Sequence, residues 1–437
     1  MPITRPMYRP VVAVLAVLPV AAMAQDCDPT EIFAPQVSYE AGLVPFAVAM
    51  GDLDGDGDND LAVADFNDAS VRVLLNNGDA SFASDVRYGA DQQPVDVAIG
   101  DLDGDGNNDL VVVNNDIASS NVSVLLNNGD GTFASDVRYG TGDLPESVAI
   151  GDLDGDGDND LAVTNQRSTE NSVSVLLNNG DGTFATDVRY GVGNGPLSVA
   201  IGDLDGDGDN DLAVANGNGS NASVLLNNGD GTFATQVFYG AGNGPASVAM
   251  DDLDGDGDLD LAFANNNSRD VSVLLNRGDG TFPPDVLYDA GTGPQSVAIS
   301  DLDGDGDPDL AVANFGTGDA SVLLNNGDGT FAPDVRFAAG GGSQSLATGD
   351  LDGDGDADLA VANFFARNIS VLVNQCGLIT DPCPADLDGD GALTIFDFLE
   401  FGNLFDLMDP RADFDDDGQF TIFDFLAFQN AFDAGCP

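Results

Sequence analysis

Lysine, histidine and tryptophan are absent from this 437-residue chain, and all 12 basic residues are arginines. Without histidine there is no Ser–His or Cys–His nucleophile pair, and without lysine no Schiff base. General acid–base chemistry would therefore rest on carboxylates. Positive charge is scarce: 75 acidic residues against the 12 arginines leave a formal net charge of −63. A surface of that sign repels nucleic acid and anionic lipid, so neither is expected as a partner. The four cysteines have no histidine and no CxxC spacing beside them, which argues against a zinc site. No GxGxxG, P-loop or HExxH motif occurs. High charge can signal disorder, but 43% hydrophobic residues in regular β-like runs argue against it.

Long apolar runs are missing beyond the N-terminus. There Arg5 and Arg9 precede the run Val11 to Ala22, and Ala22-Met23-Ala24 places small residues at a cleavage site. Residues 1–24 thus read as a secretory signal, and no other segment approaches the ~20 apolar residues of a membrane span. The chain from Gln25 onward is expected to be secreted or held at the cell surface, with no span once the signal is removed. An oxidising compartment favours disulfides, and four cysteines allow several pairings. Their positions suggest Cys27 with Cys376, bracketing the repeats within a domain of residues 25–379, and Cys383 with Cys436, bracketing a C-terminal module within residues 380–437.

What the chain has in abundance is repetition. Asp-Leu-Asp-Gly-Asp-Gly begins at Asp52, Asp101, Asp152, Asp203, Asp252, Asp301 and Asp350, in steps of 49 or 51 residues. That period suits a propeller blade. In the fourth copy the strand candidates are Ser198 to Ile201, Leu212 to Ala215, Ser223 to Leu226 and Gln236 to Tyr239. Asn227-Asn228-Gly229-Asp230-Gly231 reads as a turn between the last two. Four strands per repeat make one blade, so the expected fold is an all-β propeller of seven blades. The last repeat lacks its fourth strand, while Phe33 to Tyr39 resembles that missing strand. This N-terminal segment is expected to complete the seventh blade and so remove a sheet edge.

Each repeat carries D-x-D-x-D-G-x-x-D. In the first copy Asp52, Asp54, Asp56 and Asp60 place carboxylates at positions 1, 3, 5 and 9, and Asp58 offers its carbonyl at position 7. The same positions are Asp101, Asp103, Asp105, Asn107 and Asp109 in the second copy, and Asp152, Asp154, Asp156, Asp158 and Asp160 in the third. They are Asp203, Asp205, Asp207, Asp209 and Asp211 in the fourth, and Asp252, Asp254, Asp256, Asp258 and Asp260 in the fifth. The sixth has Asp301, Asp303, Asp305, Asp307 and Asp309; the seventh has Asp350, Asp352, Asp354, Asp356 and Asp358. Calcium takes roughly six to eight oxygen ligands, and this spacing presents most of them within one loop, whereas magnesium demands a tighter octahedron. Seven calcium ions are therefore expected here. A solvated acidic turn is the bland alternative, disfavoured by seven regular copies.

Loop, spacing and copy number together resemble the FG-GAP or VCBS repeats of integrin α-chain propellers and many bacterial secreted proteins, over about residues 33 to 376. The resemblance implies a seven-bladed propeller with calcium in the hairpin between the first two strands of each blade.

From Cys383 the text becomes Phe-rich and helical. Asp386, Asp388, Asp390, Ala392, Thr394 and Asp397 occupy positions 1, 3, 5, 7, 9 and 12 of an EF-hand-type loop, and Asp413, Asp415, Asp417, Gln419, Thr421 and Asp424 repeat it. Two further calcium ions are expected there, each loop leading into a helix, Ile395 to Phe405 and Ile422 to Phe432. The pair resembles a dockerin module, which implies anchoring to a cohesin-like or envelope partner. Phe396, Phe398, Phe423 and Phe425 stand where the family commonly has polar recognition residues. A self-contained cap with a phenylalanine core is the alternative.

The expected function is non-catalytic binding or adhesion, toward a glycan or protein ligand. The loops joining strands two and three vary most between copies: 65–70, 114–121, 166–171, 216–221, 265–270, 314–319 and 363–368. Phe315, Phe364, Phe365 and Arg367 are the contact candidates among them. The competing expectation is a dockerin-anchored polysaccharide-degrading enzyme, a glycan lyase or a glycosidase using paired carboxylates. A structural spacer would share every feature but the ligand.

Overall fold

Twenty-eight strands form seven four-stranded antiparallel sheets in this computed structural model. The structure describes residues 29–167 and 171–376, together with Phe401, Leu404, Phe405, Phe425 and Phe428. The first blade is β2 (Pro45–Gly51), β3 (Asp60–Asp65), β4 (Ser70–Leu74) and β5 (Val86–Gly89). Strands β6 to β25, from Pro94 to Ala338, repeat it five times. First strands of neighbouring blades lie against one another, so they line the centre of the ring. Fourth strands are largely exposed at the rim.

Second strands are buried along their whole length, as Asp60–Asp65 illustrates. Both faces of each blade pack on a neighbour, which is why these strands read as continuous Leu-Ala-Val-Ala runs rather than alternating ones. The apolar clusters straddle seams. Ala62, Ala64, Val71 and Val73 of the first blade pack with Leu110, Val112, Leu125 and Phe133 of the second. Leu61, Val63 and Leu74 pack with Ala360, Ala362 and Ile369 of the seventh, which closes the circle.

The seventh blade is β26 (Ser343–Gly349), β27 (Asp358–Asn363) and β28 (Asn368–Leu372), completed by β1 (Val37–Glu40). β1 pairs antiparallel with β28, Val37 opposite Val371 and Glu40 opposite Asn368, and Phe33 bridges Asn374. The N-terminal strand therefore fills the expected place. It also supplies the local packing that every blade uses at its rim. In five blades a fourth-strand tyrosine (Tyr88, Tyr139, Tyr190, Tyr239, Tyr288) meets a phenylalanine of the next blade edge-on at 5.1–5.3 Å. Tyr39 of β1 does the same to Phe82 at 5.0 Å, and Phe33 receives Phe337 at 5.2 Å.

The first blade departs from the others in one buried network. Asp65 and Arg72 stand where the second blade has Asn114 and Ser123. Asp65 is fully buried, accepts from the Leu43 and Val44 N–H groups at 2.9 Å, and pairs with the Arg72 Nε at 3.1 Å. Arg72 also reaches Asp68 and Asp85. Arg72→Ser is expected to cost about 3 kcal/mol in chemical denaturation, because it strands a buried charge. Adding Asp65→Asn, which rebuilds the neutral network of the second blade, should recover most of that loss.

Cys376 is buried and is not a free thiol. Its expected partner Cys27 lies outside the described residues, as do Cys383, Cys436, the signal segment 1–24 and both EF-hand-type loops. Phe401, Leu404, Phe405, Phe425 and Phe428 are helical, and Phe401 stacks on Phe428 with centroids 4.5 Å apart. No helix among the described residues is long and apolar enough to cross a membrane.

Candidate metal centres

Each Asp-rich loop joins the first two strands of its blade, between Gly51 and Asp60 in the first. Its shape follows from carboxylates accepting from nearby backbone. Asp52 accepts from Gly55 N–H at 2.7 Å and Gly57 N–H at 3.1 Å, and Asp56 accepts from Asp58 N–H at 3.0 Å. Gly57 sits at φ 99°, a left-handed conformation that side-chain-bearing residues rarely adopt, and the turn needs it. The last aspartate is anchored in the core. Asp60 is fully buried, with one oxygen accepting from Leu53 N–H at 2.8 Å and the other from Asn76 N–H at 2.7 Å.

These anchors bring positions 1, 3 and 9 together. One oxygen each from Asp52, Asp54 and Asp60 lies within 4.8 Å of the others, as for Asp101, Asp103 and Asp109. The groups Asp152, Asp154, Asp160; Asp203, Asp205, Asp211; and Asp252, Asp254, Asp260 match, and two more groups exist. Two ligands of one calcium ion at ~2.4 Å each are at most about 5 Å apart, so the triads fit a shared ion. The position-5 carboxylate lies outside these five triads. Burial raises the Asp54 and Asp60 carboxyls, and Asp56 stands close enough that its charge adds to both rises.

The electrostatics are compatible with a cation in each loop. Burial, aided by neighbouring carboxylates, lifts Asp60, Asp109, Asp160 and Asp211 to about 6 from the ordinary 3.8. Asp260, Asp309 and Asp358 are lifted to about 7 by the same causes. The ion pairs among the described residues join arginines to Asp65, Asp68, Asp85, Asp91, Asp136, Asp143, Asp187 and Asp334, none of them a loop carboxylate. Asp205 and Asp352, at position 3 of their loops, each bury an Oδ1 with no hydrogen-bond partner. A hard divalent ion suits this oxygen-only, uncompensated donor set.

The opposite face carries the loops between strands two and three. It brings together Phe315, Phe364 and Phe365, which the sequence offers only as separate contact candidates, and adds two residues that sequence reasoning missed, Phe46 and Phe66. Phe46 stacks on Phe66 at 5.6 Å and meets Phe364 edge-on at 6.2 Å. Phe365 contacts Phe315 at 5.0 Å and Phe364 at 5.3 Å. The cluster spans blades six, seven and one, and Phe365 is 65% exposed. Phe46 sits at a register shift between Pro45 and Ala47 that recurs at the same place in the other blades. Arg367 is exposed in a left-handed turn beside it. A shallow depression of about 420 Å³ lies elsewhere on this face, lined by Ile117, Ser119, Arg138 and Asp143 among others.

Two further carboxylates stand out in the innermost strands of blades two and three. Asp96 accepts from Val97 and Val148 N–H groups at 3.0 Å, linking the two blades, and burial lifts it to about 6. Burial lifts Glu146 to about 7, and the Asp96 charge adds to the rise. No motif marks either residue.

The FG-GAP-like repeat family matches residues 52–112, 101–163, 152–214, 203–263, 252–312 and 301–361, each match running from one Asp-rich loop through the next. No curated protein matches the chain. Among solved structures, the fold is similar to that of an Agrocybe aegerita lectin described for specific recognition of non-reducing terminal N-acetylglucosamine. Identity is 24%, the match covers 74% of this chain and 86% of that one, and the TM-score is 0.50. A complex of BBS1N with ARL6DN is similar at 13% identity, covering 78% and 97%, with a TM-score of 0.56.

Proposed function

Because the chain belongs to the FG-GAP-like repeat family, we propose that it is a secreted, calcium-loaded propeller that binds a glycan without cleaving it. The loops at one face hold calcium and stiffen the ring. The ligand meets the opposite face, and the dockerin-like segment 380–437 anchors the protein to a cohesin-like or envelope partner. The observation that carries this reading is the cluster of Phe46, Phe66, Phe315, Phe364 and Phe365. Residue 66 and its counterparts in blades two to five are Phe66, Asn115, Gln166, Gly217 and Asn266, so the rings are gathered on three adjacent blades and are not a requirement of the fold. Partly exposed aromatic faces offer apolar area of fixed shape, suited to the C–H faces of a sugar ring. A net charge of −63 disfavours anionic glycans, so the expected ligand is neutral.

The test is binding of the calcium-loaded chain to a glycan array, with terminal N-acetylglucosamine as the first probe. Phe364→Ala with Phe365→Ala is expected to lower affinity at least about tenfold, the scale of an aromatic hot spot, while the melting temperature stays close to that of the parent. A blank array, or binding indifferent to both substitutions, sinks the glycan reading.

The alternative is a polysaccharide-degrading enzyme, and Asp96 with Glu146 is the observation in its favour. A carboxyl held near 7 suits a general acid. Both Asp96 oxygens, however, accept backbone N–H groups, which gives that residue a structural task. Glycan cleavage abolished by Glu146→Gln would favour the enzyme over the binding protein.

A further inference from the structure

A single asparagine per blade ties each Asp-rich loop to the loop before it, and these ties run unbroken round the ring. The Asp60 carboxylate accepts from Asn76 N–H, and the Asn76 Nδ2 donates to the Leu351 carbonyl of the seventh blade at 2.7 Å. Leu351 donates its own N–H to Asp358 at 2.8 Å. Asp358 accepts from Asn374 N–H at 2.6 Å, and the Asn374 Nδ2 reaches Leu302 of the sixth blade at 2.9 Å. The corresponding asparagines carry the link across the other five seams at 2.8 Å. The circuit passes through position 9 of every loop.

A second tie is present at only four of the seven seams. At position 8, Asn59, Asn108, Asn159 and Asn210 donate to the position-1 carbonyl of the preceding loop at 2.8–2.9 Å. Blades five, six and seven carry Leu259, Pro308 and Ala357 there, whose side chains have no donor. The loops of blades seven, one, two, three and four are thus doubly tied in series. Those of blades five and six have single ties on both sides.

Closing a loop around an ion fixes the backbone at positions 1, 2 and 9, which are the groups that these ties join. A loop already ordered spares its neighbour part of the entropy of ordering. We infer that the seven loops load calcium as a coupled set, with a tight arc of five loops from blade seven through blade four and a looser pair in blades five and six. The inference rests on the reading that the loops hold calcium.

The test lowers free calcium stepwise around the loaded full-length chain and follows each loop by hydrogen–deuterium exchange, with calorimetry for the stoichiometry. Loops five and six are expected to lose protection at higher free calcium than the other five. Asn108→Leu removes the second tie between blades one and two but no ligand. It should raise the calcium midpoint of both those loops by about three- to tenfold, the worth of one hydrogen bond. Leu259→Asn supplies the missing tie between blades four and five. Residue 259 faces Gly202 as Asn108 faces Gly51, so the new amide has the same room, and loop five should join the tight set. Seven unrelated midpoints, with Asn108→Leu felt in its own loop alone, would overturn the coupling and leave the calcium reading intact. If the loops take up no calcium, both fall.

Discussion

Excess EDTA at neutral pH is expected to lower the melting temperature by more than about 15 °C relative to saturating calcium. An ion at a hundred times its dissociation constant stabilises the folded state by about 2.7 kcal/mol per site, and seven propeller sites act on one ring. Taking the ions away also leaves Asp52, Asp54 and Asp60, and their counterparts, within 4.8 Å of each other with no cation between them. The pH dependence should then have opposite signs in the two conditions. Without ions, the position-9 carboxyls lie at about 6 to about 7 in the folded chain, above the ordinary 3.8. A raised folded value stabilises the protonated form. That contribution is fully present below 3.8 and is lost as pH rises through 6 and 7. In EDTA the melting temperature should therefore climb on acidification from mildly alkaline to mildly acidic pH. In calcium it should fall over the same window, since protons compete with the ion for the same oxygens. A melting temperature indifferent to EDTA, or slopes of one sign in both conditions, would count against the metal centres.

Deleting residues 29–40 should be as damaging as chelation, although it removes no metal ligand. β1 provides the rim strand of the seventh blade, and Ile32 and Phe33 are buried in the cluster that joins blades six and seven. Losing two such side chains forfeits roughly 3–6 kcal/mol of apolar burial. The backbone bonds Ala34 N–H to Val373 and Gln375 N–H to Ile32, at 2.9 and 2.7 Å, go as well. Tyr39 reaches across the seam to the Ala80 carbonyl at 2.9 Å, so the seventh blade also loses a hold on the first. The exposed edge of β28 then invites pairing with another copy. Expected results are a melting temperature lower by more than about 10 °C and concentration-dependent association in sedimentation. A peptide covering 29–40, added in trans, should reverse part of both. Unchanged stability and a monomeric deletion product would mean that the ring closes by other contacts.

The Asp-rich loops and the strands around them were legible because their causes are local. Asp and Gly at fixed offsets make the turn, and runs of Leu, Ala and Val make the buried second strand. In the fourth blade Ser198 to Ile201 lies within Pro196–Gly202, and Leu212 to Ala215 within Asp211–Asn216. Seven copies allowed the missing fourth strand to be noticed and Phe33 to Tyr39 to be matched to it. The dockerin-like loops, equally plain as motifs, lie outside the described residues.

Other features depend on which blades become neighbours. Asn227 reads as a turn residue, and its copies repeat in every blade. Its donation to Leu153 of the preceding blade has no local cause, because the partners are 74 residues apart. Phe46 and Phe364 are ordinary apolar residues near opposite ends of the propeller sequence, and only closure of the ring brings their centroids to 6.2 Å. Asp96 and Glu146 acquire their raised values from burial where blades two and three meet. The sequence by itself determined the repeat, the strands, the spacing of the loop carboxylates and the exchange of the N-terminal strand, since each follows from a local pattern or from comparing the copies of one repeat. The tertiary structure alone decided which loops are tied together, where the aromatic face forms and which carboxylates lose their water. Those depend on contacts between blades, and packing makes such contacts between residues that chain order keeps far apart.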